Sequence, residues 1–223
     1  MTKRLFFRAI LKFTLGVFAV GTLLFLPAGT LAYQNGWLLM GLLFIPMFCA
    51  GIFMLCRDPA RLEKRLNARE PQSEQKTILA LSGLMFVAGF AAAGFGVRFD
   101  WPMLPIPVSV AGSVLFLSAY LLYAEVLREN AFLSRTVEIQ EGQTVIDTGL
   151  YGIVRHPMYS ATLLLFLSMP LILGSVLSFL IFLAYPPIIV KRLKNEERVL
   201  AEGLAGYTDY QRRVKYRLIP FLW

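Results

Sequence analysis

Long apolar runs without a charged side chain dominate the first half of the sequence. About 20 helical residues are needed to cross the hydrocarbon core of a bilayer, which is about 30 Å thick. Four runs reach that length: Phe13 to Ala32, Trp37 to Cys56, Thr77 to Val97 and Trp101 to Ala124. The pattern predicts four transmembrane helices within residues 1–127.

A fifth apolar stretch covers residues 157–190 and is too long for a single pass. Its 34 residues contain no charge, and one straight helix of that length would extend about 51 Å. Pro170 and the Gly174-Ser175 pair near its middle predict a turn between two arms. Each arm has about 17 residues, the lower limit for a crossing, so the hairpin either spans the bilayer or stops short of the far leaflet.

The distribution of basic residues predicts which side of the membrane each end occupies. The chain is 57% hydrophobic and 16% charged, with a formal net charge of +8. Lys and Arg concentrate before the first run, between the second and third, and after residue 190, which indicates a cytoplasmic location for all three regions. An even number of passes satisfies this distribution.

The sequence therefore predicts an all-α, polytopic membrane helical bundle of about six segments, forming one domain over residues 1–223. Residues 128–156 are expected to form a cytoplasmic connection, 157–190 the hairpin and 191–223 a cytoplasmic tail. Both termini would be cytoplasmic, and a bacterial inner membrane is the expected location. The oligomeric state stays open.

The basic residues lie in the gaps between apolar runs rather than in one stripe or an RNA-binding motif. This pattern is typical of topology signals and of contacts with anionic membrane lipids, so no nucleic-acid partner is expected. The chain has one His and two Cys. Without a Cys/His metal spacing, no metal site is expected.

The tail contains an acidic residue at an unusual position. From Lys191 to about Leu204 the pattern predicts an amphipathic helix with Leu193 and Leu200 on its apolar stripe. Glu197 falls on the same stripe, where a buried carboxylate is costly unless it meets a cation. Glu197 is therefore a candidate functional residue, whereas its neighbour Glu196 can be a plain solvated charge.

The single histidine, His156, lies where the connection meets the hairpin, in the sequence GLYGIVRHPMY. Pro157 is typical of the first turn of a helix. The pattern predicts the His156 ring and the hydroxyl groups of Tyr151 and Tyr159 at the cytoplasmic interface. An ordinary interfacial belt of Tyr and Arg would give the same pattern, so the motif alone leaves both interpretations open.

The order of these pieces resembles the isoprenylcysteine carboxyl methyltransferase family and its phospholipid methyltransferase relatives. The resemblance runs from Gln143 to Pro220: QTVIDTGLYGIVRHPMY, a hairpin, an acidic helix and then YTDYQRRVKYRLIP. It implies S-adenosylmethionine as cofactor and a lipophilic or lipid-linked substrate. The first four spans are similar to the family only in hydrophobicity.

Carried over by position, the resemblance implies a set of cofactor contacts. These are Gln143, Thr144, Val145, Ile146, Tyr151, His156, Pro157, Met158, Tyr159 and Glu197. His156, Tyr159 and Glu197 are the expected catalytic residues, with Glu197 pairing with the positive end of the cofactor. Methyl transfer needs an in-line approach and exclusion of water, which a pocket beneath a membrane hairpin can provide.

Two departures from the family pattern concern the substrate. Leu193 stands where the prenylcysteine enzymes have a substrate-binding Arg, and the usual Phe-Gly-x-x-Tyr is shortened to Ala205-Gly206-Tyr207. Arg192 or Lys194 could replace the missing cation only after a small rotation. The acceptor, and whether methylation is at O, N or S, stays open.

Two other functions are compatible with parts of the pattern. Membrane sterol and enone reductases, which use NADPH, also carry a His-Pro-x-Tyr element, but they commonly have Asn where this chain has Met158. A non-enzymatic scaffold or small transporter would be expected to place polar residues within the spans. The first four spans contain no charge, which makes that alternative the weakest.

Overall fold

The fold is an all-helical membrane bundle. The computed structural model describes residues 2–66, 73–133 and 139–223. Helices account for 77% of the structure, and the described ranges contain no strand. Five helical segments are long and apolar enough to cross a membrane, and a sixth apolar helix has 17 residues. The predicted fold class is confirmed, and the chain is an integral membrane protein.

The helices follow the predicted order. They are α1 (Thr2–Ala28), α2 (Gln34–Arg57), α3 (Pro59–Leu66), α4 (Ser73–Arg98), α5 (Ile106–Glu129), α6 (Pro157–Leu173), α7 (Val176–Phe182), α8 (Tyr185–Gly203) and α9 (Tyr207–Arg213). A short 3-10 helix, Gly149–Gly152, precedes α6. α1 and α4 extend beyond the apolar runs because charged residues at a membrane surface do not end a helix.

The fourth span begins later than the apolar run predicted. α5 starts at Ile106 rather than at Trp101. Pro102 and Pro105 lie between these positions, and a proline disfavours helical backbone at the residue before it. Residues 101–105 are instead extended, and Met103 forms an isolated bridge with Ser175.

α5 and α6 make the most extensive helix contact of the described chain. The buried face of α5 carries small residues, among them Ser109, Gly112 and Ala119. A Cβ atom at Gly112 would lie 2.8 Å from the Cβ atom of Leu171, so the two helices approach as closely as glycine permits. Small residues allow this close packing in membrane bundles, where apolarity alone does not favour helix association.

The turn of the predicted hairpin reaches the same end of the bundle as two other connections. Gly174 ends α6 with φ +70, and its carbonyl accepts a 2.8 Å bond from Leu104 N–H in the α4–α5 connection. The hydroxyl of Tyr33, in the α1–α2 connection, donates to the Leu173 carbonyl at 2.8 Å. The hairpin therefore extends as far as the neighbouring helices, although α6 itself is only about 26 Å long.

The second arm of the hairpin and the tail helix form one nearly continuous element. α7 and α8 are separated only at Leu183 and Ala184, and α8 runs through the predicted boundary between residues 190 and 191. Leu183 N–H still donates to the Phe179 carbonyl at 3.1 Å, so helical hydrogen bonding persists across the break. The polar end of α8 is thus positioned by its apolar beginning.

Candidate functional site

A pocket lies where the 139–156 connection meets the start of α6, the polar part of α8 and α9. Most residues of the predicted cofactor set line it, namely Gln143, Thr144, Val145, Ile146, Tyr151, His156, Met158 and Tyr159. Pro157 and Glu197 are buried but do not line the wall. Of the two cations expected near the substrate, Arg192 lines the pocket, whereas Lys194 is exposed and does not.

The Arg155-His156-Pro157 sequence fixes the entry into α6. Pro157 is the first helical residue, a position where the missing N–H costs no hydrogen bond. The N–H groups of Arg155 and His156 donate at 2.9 Å each to the carbonyls of Tyr216 and Arg217 in the tail. This backbone pairing holds the His156 ring in a buried position beside Tyr159.

Glu197 is the centre of a buried charge cluster. Its Oε1 atom accepts from Arg155 Nε at 2.7 Å and lies 3.4 Å from His156 Nε2. Its Oε2 atom accepts from Arg217 Nε at 2.9 Å. Glu197 is only 6% exposed. A buried carboxylate on the apolar stripe requires a cation, and Arg155 and Arg217 supply it. The carboxylate thus joins α8, the start of α6 and the tail.

A second cluster faces the pocket itself. The Tyr159 hydroxyl donates to the Glu196 carboxylate and accepts from Arg192 Nε at 3.0 Å. All three residues line the pocket. Glu196 is not the plain solvated charge that its position on the helix allowed, because the residue is half-buried and bonded to Tyr159. Glu196 and Arg192 supply opposite charges on one wall.

Tyr151 connects the 3-10 helix to two other elements. Its hydroxyl accepts from Asn130 Nδ2 at 2.9 Å, and its carbonyl accepts from the Tyr210 hydroxyl at 2.8 Å. Burial raises the pKa of Tyr151 to about 12 despite the opposing effect of the Asn130 hydrogen bond. Burial likewise raises the pKa of Tyr207 and of Tyr210. These phenols stay protonated at neutral pH, and the hydroxyls of Tyr151 and Tyr210 form hydrogen bonds.

Glu129 anchors the 3-10 helix. Its Oε2 atom accepts from Leu150 N–H at 3.0 Å. Gly149 has φ +50, and a Cβ atom there would lie 2.0 Å from Glu129 Oε1. A glycine is therefore required both by the backbone conformation and by the approach of the carboxylate. This anchor sets the position of Tyr151, two residues later.

Arg155 holds the tail against the site. Its Nη1 atom donates to the Val214 carbonyl at 2.8 Å and to the Lys215 carbonyl at 3.2 Å. These carbonyls follow the end of α9, where backbone acceptors lack partners within the helix. Tyr207 and Tyr210 on α9 line the pocket. By holding the segment after α9, Arg155 also positions this part of the pocket wall.

Sequence reasoning assigned no site role to Arg155 or Glu196, both of which line the pocket. Asn130 directly follows α5, and only the folded connection brings it to Tyr151. Arg155 could have been found from Glu197, because a carboxylate on an apolar stripe predicts a buried cation and Arg155 adjoins His156. For Glu196, which lies one position around the helix from the stripe, the sequence carries no comparable signal.

The fold and the pocket define a class: an integral membrane protein with a polar pocket at the end of its apolar helices, built mainly from the C-terminal half. Residues 108–202 match the model of the Isoprenylcysteine carboxyl methyltransferase (ICMT) family. The matched region runs from α5 to the polar end of α8 and contains most of the residues that line the pocket.

A curated relative carries a different activity. The chain is 30% identical over 91 residues to Delta(14)-sterol reductase TM7SF2 of Mus musculus. The aligned region covers 40% of this chain but only 22% of the reductase. This similarity concerns one part of a much longer protein.

Proposed function

We propose that the protein is an S-adenosylmethionine-dependent methyltransferase similar to isoprenylcysteine carboxyl methyltransferase. It acts on a lipophilic or lipid-linked substrate at the cytoplasmic face of a membrane. The proposed location is a bacterial inner membrane. The observation that carries this proposal is the pocket in the family-matched region. Eight residues of the expected cofactor set line this pocket.

The chemistry of the wall fits the cofactor. S-adenosylmethionine, when bound, supplies an electrophilic methyl group on a positively charged sulfur. The Glu196 carboxylate suits the cationic groups of such a ligand, and Asn130, Gln143 and Thr144 provide hydrogen-bonding side chains. Met158 and Val145 provide apolar surface on the same wall.

The residues of the chain have distinct roles in this proposal. Glu196 binds a cation, and the Tyr159 hydroxyl forms hydrogen bonds with both Glu196 and Arg192. Glu197 acts as a positioning residue, because the protein's own donors surround both of its oxygens. His156 forms part of the wall and is the candidate proton acceptor if the substrate nucleophile carries a proton.

Arg192 is the candidate for recognition of the acceptor. It lies on α8 beside Tyr159, is 9% exposed and lines the pocket. A buried guanidinium favours an anionic group such as a carboxylate. Arg192, rather than the exposed Lys194, is therefore proposed to replace the substrate-binding Arg of the prenylcysteine enzymes, whose position Leu193 occupies here.

The tail excludes water from the site. Tyr207 and Tyr210 form one wall, and the Arg155 contacts with the Val214 and Lys215 carbonyls hold that wall closed. Removing water strengthens electrostatic interactions in the pocket and protects the reacting groups. Rate enhancement by positioning is sufficient for an acceptor that is already an anion.

A reductase that uses NADPH is the second candidate, favoured by the similarity to Delta(14)-sterol reductase TM7SF2. Arg155 and Arg192 in the pocket wall could bind an anionic dinucleotide. The family model that matches residues 108–202, which include most of the pocket, supports methyl transfer instead. The methyltransferase is therefore the preferred function, and both activities are tested together.

The purified protein in detergent is incubated with S-adenosylmethionine carrying a radioactive methyl group and with a bacterial lipid extract as the source of acceptors. We expect label in the organic phase with the native chain, and a loss of most of that label with Glu196→Gln. The exposed Glu202→Gln serves as the matched control. A parallel incubation contains NADPH and the same extract. Consumption of NADPH there, without methyl transfer in the first incubation, would overturn the proposal in favour of the reductase.

A further inference from the structure

The last residues of the chain form a compact turn, here called the C-terminal hook and defined as residues 218–223. The N–H groups of Leu218 and Ile219 donate to the Trp223 carbonyl at 2.8 and 2.9 Å. The Arg217 guanidinium lies 5.2 Å from the centre of the Trp223 ring. The hook therefore has a defined shape rather than the character of a loose terminus.

The hook presents apolar side chains to its surroundings. Ile219 is 47%, Leu222 75% and Phe221 88% exposed. Phe221 also has φ +65, a backbone conformation that is unfavourable for a residue with a Cβ atom. A fixed turn that displays three large apolar groups indicates a surface with a partner.

The hook is attached where the apolar part of the bundle begins. The Ser160 hydroxyl, in the first turn of α6, donates to the Leu218 carbonyl at 2.5 Å. Leu218 belongs to the main hydrophobic core, and Trp223 packs against that core. The exposed side chains thus continue the apolar surface of the membrane helices at the end that carries the pocket.

Charges beside the hook match a membrane surface. Lys215, Arg212 and Arg213 are exposed on the same tail, where Arg212 pairs with Asp209 and Arg213 with Asp147. Arg217 contacts both Trp223 of the hook and Glu197. Cations next to inserted aromatic and aliphatic groups are typical of segments that bind a leaflet containing anionic phospholipids.

We propose that the C-terminal hook inserts Ile219, Phe221 and Leu222 into the cytoplasmic leaflet of the membrane. The insertion anchors the tail that closes the pocket, because Arg217 connects the hook to Glu197 and Arg155 connects Glu197 to the tail. The lipid bilayer is then a structural partner of the pocket wall, independently of the reaction that the pocket supports.

Fluorescence quenching by lipid tests the insertion. Cys49 and Cys56 are replaced by Ala, and Leu222→Cys is labelled with an environment-sensitive nitrobenzoxadiazole probe. The protein is placed in nanodiscs of phosphatidylcholine and phosphatidylglycerol with or without spin-labelled lipid. Glu202→Cys in the same background is the control for an aqueous site, and a Cys56→Ala protein labelled at the exposed Cys49 of α2 is the control for a lipid site.

We expect the probe at position 222 to show blue-shifted emission and a loss of intensity with spin-labelled lipid comparable to that at Cys49. The probe at position 202 should show neither effect. Unshifted, unquenched emission at position 222 would overturn the proposal. A blue shift that appears only in discs holding two copies, without quenching by lipid, would overturn it in favour of contact between chains.

Discussion

Glu197 is buried and contacts Arg155 and His156 at the start of α6 and Arg217 in the tail. Replacing Glu197 by Ala would leave the Arg155 and Arg217 side chains without their carboxylate. Removing one partner of a buried ion pair costs about 3–5 kcal/mol. We expect Glu197→Ala to lower the thermal unfolding midpoint in detergent strongly and to weaken ligand binding as a consequence.

The matched control for this prediction is Glu202→Ala, an exposed glutamate on the same helix. It should leave the midpoint within the scatter of the native protein. An unfolding midpoint for Glu197→Ala equal to that of the control would show that the buried cluster does not stabilise the site, and the positioning role would be abandoned.

The two adjacent glutamates show how far sequence reasoning reaches at the level of single residues. Glu197 was recognisable because a charge on an apolar stripe must find a cation, and Arg155 and Arg217 provide it. Glu196 looked like a solvated charge, since a helical pattern reports only which face is buried. Its contact with Tyr159 depends on how α6 lies against α8, which periodicity does not encode.

Among the elements, the 3-10 helix depends on Gly149. An Ala there adopts an unfavourable φ and displaces the Glu129 carboxylate from Leu150 N–H. We expect Gly149→Ala to destabilise the protein by about 1.5–3 kcal/mol beyond the backbone cost, because a hydrogen bond to a charged group is lost. Thermal unfolding measures this difference. Ligand affinity should fall as well, because Tyr151 belongs to the same turn.

Gly206→Ala isolates the backbone cost. Gly206 has φ +81, and no atom lies within 4 Å of a Cβ atom placed there. The control should lose about 1–2 kcal/mol from the left-handed conformation alone. Equal losses in the two variants would contradict the proposed role of the Glu129 contact.

The close approach of α5 and α6 yields a second prediction for an element. Gly112→Leu inserts a side chain where Leu171 and Ile172 already contact the glycine, and overpacking of this kind costs about 1–3 kcal/mol. We expect lower thermal stability, whereas Gly83→Leu on α4, where no atom lies within 4 Å, should have little effect. Similar losses for both variants would contradict close packing of α5 and α6.

The positions of these helices were largely predictable, and their contacts were not. Apolar runs located α1, α2, α4 and the hairpin because only long uncharged segments cross a bilayer. Membrane helices are apolar on every side, so their sequences do not mark the face that packs. The start of α5 and the continuity of α7 with α8 also escaped prediction, since they depend on the contacts of residues 101–105 and on the break at Leu183 and Ala184.

For the whole molecule, we propose that an even number of passes places both ends and the pocket on one side of the membrane. A thiol reagent that does not cross membranes should label Asp100→Cys in intact cells but not Lys215→Cys, both in a cysteine-free background. Both positions are exposed, and both should react after the membrane is opened. The reverse pattern in intact cells would contradict the cytoplasmic location of the pocket.

The most direct test of the central claim is calorimetric titration of the purified protein with S-adenosylhomocysteine, S-adenosylmethionine and NADPH. We expect the native chain and Glu202→Gln to bind the first two ligands. Glu196→Gln should bind them roughly 10–100-fold more weakly, as loss of a hydrogen bond to a charged group implies, while its thermal unfolding midpoint stays close to that of the native chain. Binding of NADPH without binding of either S-adenosyl compound would contradict the account.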